Sequence, residues 1–262
     1  MPISAPKRAR KLAMTRTIVR AYGSLFEKPG LFARAGWAWM AVAYAAQFAS
    51  GMFAVRFAGT ILHFLALTAF AVVWHRGILL GERPQGLVHL RFGREEVRYF
   101  LLGLLLTAAI LAPAIGVQQW AVAAAPHASG LPAMLIMAAL LAVVAATLIA
   151  VTRLTLVYPA TAIGAFALGF RRSWQLTRGN TLRILGGAVL ATLPWTVFSM
   201  TLNTLVKDRA VEPGGLTAAV LLLAVEVVIS FAQIAVCAAF LSYAYEFIVG
   251  GEGAGVRPAD QA

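Results

Sequence analysis

Apolar and polar positions divide the chain into long oily runs joined by short, arginine-rich segments. Six runs stand out, at about 31–53, 58–80, 99–124, 131–158, 184–206 and 216–249. Each has about 22 residues or more, enough to cross a hydrocarbon core of roughly 30 Å as a helix. The fourth and sixth are longer and predict tilt or extension past the bilayer. Pro113 and Gly116 interrupt the third, where a lipid-embedded helix tolerates a proline as a kink.

Two connecting segments carry a helical period of their own. From Ile163 to Arg178 the large apolar residues fall at Ile163, Phe166, Phe170 and Trp174, one stripe of a helix, with Arg171, Arg172, Gln175 and Arg178 off it. The spacing predicts a surface helix over 163–178, closed at Gly179-Asn180. Its rings would enter the headgroup layer while Arg171, Arg172, Trp174 and Arg178 meet anionic headgroups. Leu12, Val19, Tyr22 and Phe26 form a similar stripe flanked by Arg16 and Arg20, predicting a second surface helix that Pro29-Gly30 stops. The expected organisation is a basic amphipathic segment over 1–30, a membrane domain over 31–249 with basic-side loops at 81–98 and 159–183, and a disordered tail over 250–262. Residues 1–6 read as a disordered tip.

Composition agrees with this pattern. The 262 residues are 61% hydrophobic and 12% charged, and mean hydropathy is +0.81. A soluble domain carries about 25% charged residues, so the chain falls in the membrane class. The net charge of +12 sits between apolar runs, where lipid phosphate and topology account for it, and no basic-aromatic patch remains to bind nucleic acid. Cys237 is the single cysteine, which excludes an intrachain disulfide and reads as a small buried hydrophobe. Basic residues near the N-terminus are not followed by a short apolar core and a small-residue cleavage site, so no cleaved signal peptide is expected.

The basic residues orient the runs. Eight Lys and Arg precede the first run or sit at its start, five lie in 76–98, five in 153–183 and one in the tail, against Arg56, Lys207 and Arg209 on the other side. Positive charge inside places both termini in the cytoplasm. Three segments leading into a crossing look alike, at 20–40, 90–106 and 171–190. Arg20-Ala21-Tyr22 aligns with Arg172-Ser173-Trp174. The fold expected is all-α: a polytopic transmembrane helical bundle of six crossings as three helical hairpins, with basic amphipathic surface helices.

The stretches RLTLVYPA (153–160), RRSWQLTRGNTLRILGG (171–187) and LSYAYEFI (241–248) resemble a bacterial membrane family. It is the membrane domain associated with glycerophosphodiester phosphodiesterases, together with related six-helix bacterial membrane proteins of unknown function. The shared pattern is Arg then Leu and Pro closing one crossing, a Ser-Trp-x-Leu-Thr-x-Gly-Asn surface helix, and a last helix rich in Ser and Tyr. The resemblance implies a helical integral membrane protein of the plasma membrane and supplies no catalytic residues. His75-Arg76-Gly77 with Glu82 and Pro84 also resembles the His-Arg-Gly opening of the phosphodiesterase catalytic domain. That enzyme needs a separate barrel, and the tripeptide here ends a crossing; Trp74, His75 and Arg76 therefore read as interfacial anchors.

Candidate chemistry is confined to polar residues inside the runs. Glu226 lies about mid-bilayer, with Ser230, Gln233 and Cys237 following on its face; the fifth run offers Thr192, Thr196, Ser199 and Asn203 on one face. In an antiparallel hairpin Thr196 and Glu226 share a depth. This seam either glues two helices or forms a proton or solute site on Glu226. His63, Gln47, Gln118 and Gln119 show no metal-ligand spacing, and His89, Glu95 and Glu96 read as solvated. No metal or cofactor is expected. The function expected is that of a non-enzymatic accessory or scaffold protein engaging anionic membrane lipids; the alternative is a small transporter or lipid-handling protein using the seam. Whether a membrane-protein partner or a second copy joins it stays open.

Overall fold

The computed structural model describes residues 11–53, 56–86, 88–123, 130–207 and 215–250. Among these residues the chain is helical, without strands: α1 (Met14–Glu27), α2 (Pro29–Phe53), α3 (Arg56–Leu79), α4 (Arg94–Ala123), α5 (Gly130–Leu154), α6 (Val157–Ala162), α7 (Phe170–Leu176), α8 (Thr181–Lys207) and α9 (Gly215–Val249). The expected tip over 1–6 and all but the first residue of the expected tail lie outside the described residues. Five segments are long and apolar enough to cross a membrane: Phe57–Leu79, Arg94–Ala123, Gly130–Ala162, Thr181–Leu205 and Leu216–Val249. Helix α2 has 25 residues but is not among the five, because Arg34, Trp37, Trp39, Tyr44 and Gln47 dilute its hydropathy.

Helices α2, α3 and α9 form the centre, with α2 packed most extensively on α3. Their contacts are made by small residues: Ala35 and Ala43 on α2, Ala66 and Ala69 on α3, Ala235, Ala239 and Ala244 on α9. Lipid tails are as apolar as leucine, so helices in a bilayer gain little by hiding oily side chains. Close backbone approach, and the dispersion contacts that come with it, binds them instead. A few rings fill the space between. Phe70 is fully buried, with centroids 5.6 Å from Phe32, 5.8 Å from Trp74 and 5.1 Å from Phe231. Where α8 meets α9, Gly187 faces the buried ring of Phe240, and a Cβ there would overlap it.

The outer helices distribute their side chains in the opposite sense. Helix α5 buries only Thr152 of its 25 residues, while Leu131, Met134, Leu135, Ile136 and Leu141 are exposed. Helix α4 buries residues only in its first half, from Glu96 to Leu106. Such surfaces suit acyl chains.

Several expectations are corrected. The stretch 163–178 is not one helix: Gly164 takes a left-handed φ of 75°, ending α6, and only Phe170–Leu176 is helical thereafter. Trp74 and His75 are fully buried core residues rather than interfacial anchors. Glu96 is not solvated: it is 2% exposed and accepts the Gly93 N–H at 2.7 Å, the half of a capping box that closes the start of α4. In agreement with the expectation for a lipid-embedded helix, Pro113 lies within α4 without breaking it, and Pro194 likewise lies within α8. At Pro194 the missing N–H leaves the carbonyl four residues earlier without its helical donor. The Tyr22 hydroxyl lies there, 3.0 Å from the Ala191 carbonyl and 3.4 Å from that of Leu190. Burial raises the Tyr22 phenol above its ordinary pKa, so it remains a donor.

Candidate functional site

The most organised region is the arginine-rich end, where α1, α7 and the 80–93 loop meet the ends of α2–α6, α8 and α9. Helix α5 stops at Leu154, and carbonyls in a last turn lose their intrahelical donors. The carbonyl of Arg153 is taken by α7: Ser173 Oγ donates to it at 2.7 Å, and Thr177 Oγ1 lies 3.2 Å away, sharing its one proton with the Ser173 carbonyl at 2.9 Å. Ser173 and Thr177 stand one helical turn apart and are both fully buried, so α7 turns this hydroxyl pair inward. The Arg153 guanidinium lies 4.7 Å from the Trp174 ring centroid and donates to Thr181 Oγ1 at 3.3 Å. Phe170 and Trp174 are consequently left outward, 46% and 41% exposed; Phe166, before α7, is 48% exposed with the Arg98 guanidinium 4.2 Å from its ring centroid, and Arg171, Arg172 and Arg178 are exposed nearby.

Asn180, after the Gly179 turn, ties in the N-terminal segment. Its Oδ1 accepts the Leu12 N–H at 2.8 Å, while Arg183 donates to the Leu12 carbonyl at 2.7 Å. Both backbone groups of a fully buried residue are thereby satisfied. Helix α1 then lies against α8 and α9 with Thr17, Ala21 and Ser24 inward. Arg16 is exposed, as are Val19 and Phe26. Arg20 turns back on α9: its Cζ is 3.9 Å from the Tyr243 centroid and it meets Glu246 at 3.4 Å. Of the expected headgroup contacts, Arg20 is thus partly committed within the protein.

The seam residues come together in part. Ser199 Oγ donates to Glu226 Oε2 at 2.7 Å and Asn203 Nδ2 to Oε1 at 2.8 Å. The partner at matching depth is therefore Ser199 with Asn203, not Thr196, whose hydroxyl returns to the Thr192 carbonyl of its own helix. Thr192 and Ser230 likewise bond to carbonyls of their own helices. Gln233 and Cys237 are half-buried. Glu226 is half-buried and Asn203 exposed, so the carboxylate sits at the edge of the α8–α9 contact.

A second polar cluster escaped the sequence reading. His75 Nδ1 lies 2.7 Å from Ser242 Oγ, and Nε2 lies 3.1 Å from the Tyr99 hydroxyl; the Tyr99 and Tyr158 rings are 4.9 Å apart. One ring nitrogen donates and the other accepts, so a neutral imidazole satisfies both hydroxyls. His75 and Ser242 are fully buried, which gives a His-Ser pair no substrate to attack. In sequence Ser242 falls in the Ser- and Tyr-rich stretch 241–248 and His75 opens the tripeptide 75–77, but nothing there pairs them.

On the same end two neighbouring cavities share Glu82, Arg83 and Pro84. The larger, about 280 Å³, is bounded by Lys28, Arg34 and Gly77. The smaller, about 40 Å³, is bounded by Arg76, His89 and Arg91. Arg76 forks onto Glu82 with two bonds of 2.7 Å and donates to the Ala162 carbonyl at 3.1 Å. Among the described residues no cluster of His, Cys, Asp and Glu could hold a metal ion.

Among the described residues, helices without strands, five of the segments able to cross a bilayer, and a tied-down basic end define a multi-pass membrane protein. No family model, curated protein or solved structure matches the chain.

Proposed function

We propose that the chain is a non-enzymatic integral membrane protein of the bacterial plasma membrane, an accessory or scaffold protein that engages anionic lipid at its cytoplasmic face. One observation carries this reading. Helix α7 turns its small hydroxyl residues inward and leaves Phe170 and Trp174 outward beside Arg171 and Arg178, with Phe166 of the preceding turn also exposed. In water such exposed rings are unfavourable; at an interface they enter the headgroup layer while the guanidinium groups pair with phosphate. Six crossings in three hairpins, with both termini cytoplasmic, complete the proposal. The support is α2: its 25 residues span about 37 Å, Leu31 reaches Gly77 near one end and Ser50 meets Gly59 near the other, so it runs the depth of α3.

The test is lipid retention. Protein extracted from mixed phosphatidylethanolamine and phosphatidylglycerol membranes should carry phosphatidylglycerol in excess of its bulk share by native mass spectrometry. Arg171→Gln with Arg178→Gln should reduce that excess. Retention at bulk proportions in the wild type would sink the proposal.

A second reading has its own observation, the half-buried Glu226 carboxylate held by Ser199 and Asn203. A transporter would use this group as a proton or solute site. A carboxylate already satisfied by two side-chain donors supports the structural alternative, a seam joining α8 to α9.

A further inference from the structure

We infer that the larger cavity at the arginine-rich end is a phosphate-binding site, taking either the phosphodiester of a lipid headgroup or a soluble phosphate ester. It is a different place from the outward surface of α7, and it rests on the lipid-engaging reading only for its lipid source. The cavity, about 280 Å³, collects cations from three separate pieces of chain: Lys28 from the α1–α2 junction, Arg34 from the second turn of α2, and Arg83 from the loop after α3. Among the described residues none of the three is in an ion pair, whereas Arg76, at the same junction, is spent on Glu82 at 2.7 Å. That fork matters to the charge of the site. Glu82 lies on the cavity wall, and Arg76 neutralises it, leaving Glu27 as the one other carboxylate among the described wall residues, against three cations.

The backbone adds to the preference. Helix α2 begins at Pro29, so its positive end opens at Gly30 on the cavity wall; alone this would be a weak attraction, and here it adds to the three basic residues on that wall. Arginine and lysine are the residues that recognise phosphate oxygens, the first through paired N–H groups and the second as a point charge. The volume lies near the lower end of the roughly 300–1,000 Å³ usual for small-ligand sites, which suits a phosphate with a short substituent. The walls are also held firmly. Arg76 joins the 80–84 loop to the end of α6 through Glu82 and the Ala162 carbonyl, and Pro84 is buried beneath.

The full-length protein is reconstituted in phosphatidylcholine nanodiscs, with or without phosphatidylglycerol. Bound lipid is counted by native mass spectrometry, and sn-glycerol 3-phosphate and inorganic phosphate are titrated by ³¹P NMR. The pocket variant is Arg34→Gln with Arg83→Gln, both exposed residues, and Arg83→Lys serves as a folding and charge control. The surface variant is Arg171→Gln with Arg178→Gln. We expect one tightly held phosphate species that the pocket variant weakens about tenfold or more, that Arg83→Lys largely keeps, and that the surface variant leaves in place. Retained phosphatidylglycerol identifies a lipid source, and saturable binding of glycerol phosphate in its absence identifies a soluble one; either supports the site. Binding lost in the surface variant but kept in the pocket variant overturns the inference while leaving the lipid-scaffold proposal standing. No bound phosphate in either arm overturns it as well, and binding lost only in the pocket variant upholds the cavity whatever the fate of α7.

Discussion

Docking of α7 onto the end of α5 can be broken without touching a ring or a charge. In the double variant Ser173→Ala with Thr177→Val the side-chain shapes are nearly kept, and the Arg153 carbonyl loses its Ser173 donor at 2.7 Å and the shared Thr177 contact at 3.2 Å. An unpaired buried polar group costs about 1–3 kcal/mol. Arg153 is only half-buried and water can partly replace the lost donors, so the lower part of that range applies, about 1–2 kcal/mol. Since 1.4 kcal/mol is a factor of ten, the undocked population should rise roughly 5- to 30-fold. Ser173→Ala alone leaves Thr177 in place and should produce a smaller change. Hydrogen–deuterium exchange of the 170–178 amides in lipid nanodiscs reads local opening directly. Amides in the core of α9, around Phe240, serve as the internal reference and should not change. If the double variant exchanges within about twofold of wild type, the hydroxyl pair does not hold the helix and the account of α7 is wrong.

Replacing His75 with Phe should strand the buried hydroxyls of Ser242 and Tyr99, at about 1–3 kcal/mol for each group. Adding Ser242→Ala and Tyr99→Phe should recover much of the loss, read as melting temperature in detergent; a triple variant less stable than His75→Phe alone would contradict a purely structural cluster. Glu226→Gln keeps an acceptor for Asn203 or Ser199, so the scaffold reading expects a change of about 1 kcal/mol or less and normal assembly. A well-folded Glu226→Gln protein that loses proton-coupled uptake in proteoliposomes would instead establish the transport reading.

The positions of the helices were legible in the sequence to within a few residues. The run expected at 58–80 is Arg56–Leu79, and that expected at 184–206 is Thr181–Lys207. The surface helix expected over 12–26 is Met14–Glu27. The exception, 163–178, failed because its apolar spacing is helical while Gly164 turns the backbone the other way. Of the seam, Glu226, Ser199 and Asn203 meet as a group, whereas Thr196 and Ser230 keep to their own helices.

Local chemistry decides how oily a segment is, where it stops and which end carries arginine, and these can be read one window at a time. Which face of a helix turns inward cannot. In water an apolar stripe marks the core, but in lipid a leucine is as comfortable outside as inside, so hydropathy does not separate Trp74 in the centre from Trp174 at the rim. Partners are also far apart in the chain: Leu12 with Asn180, His75 with Ser242, Lys28 with Arg83. Only the packing of the helices brings them within bonding distance or to one cavity. The hydroxyl, amide and guanidinium groups at the basic end acquire their roles from that packing.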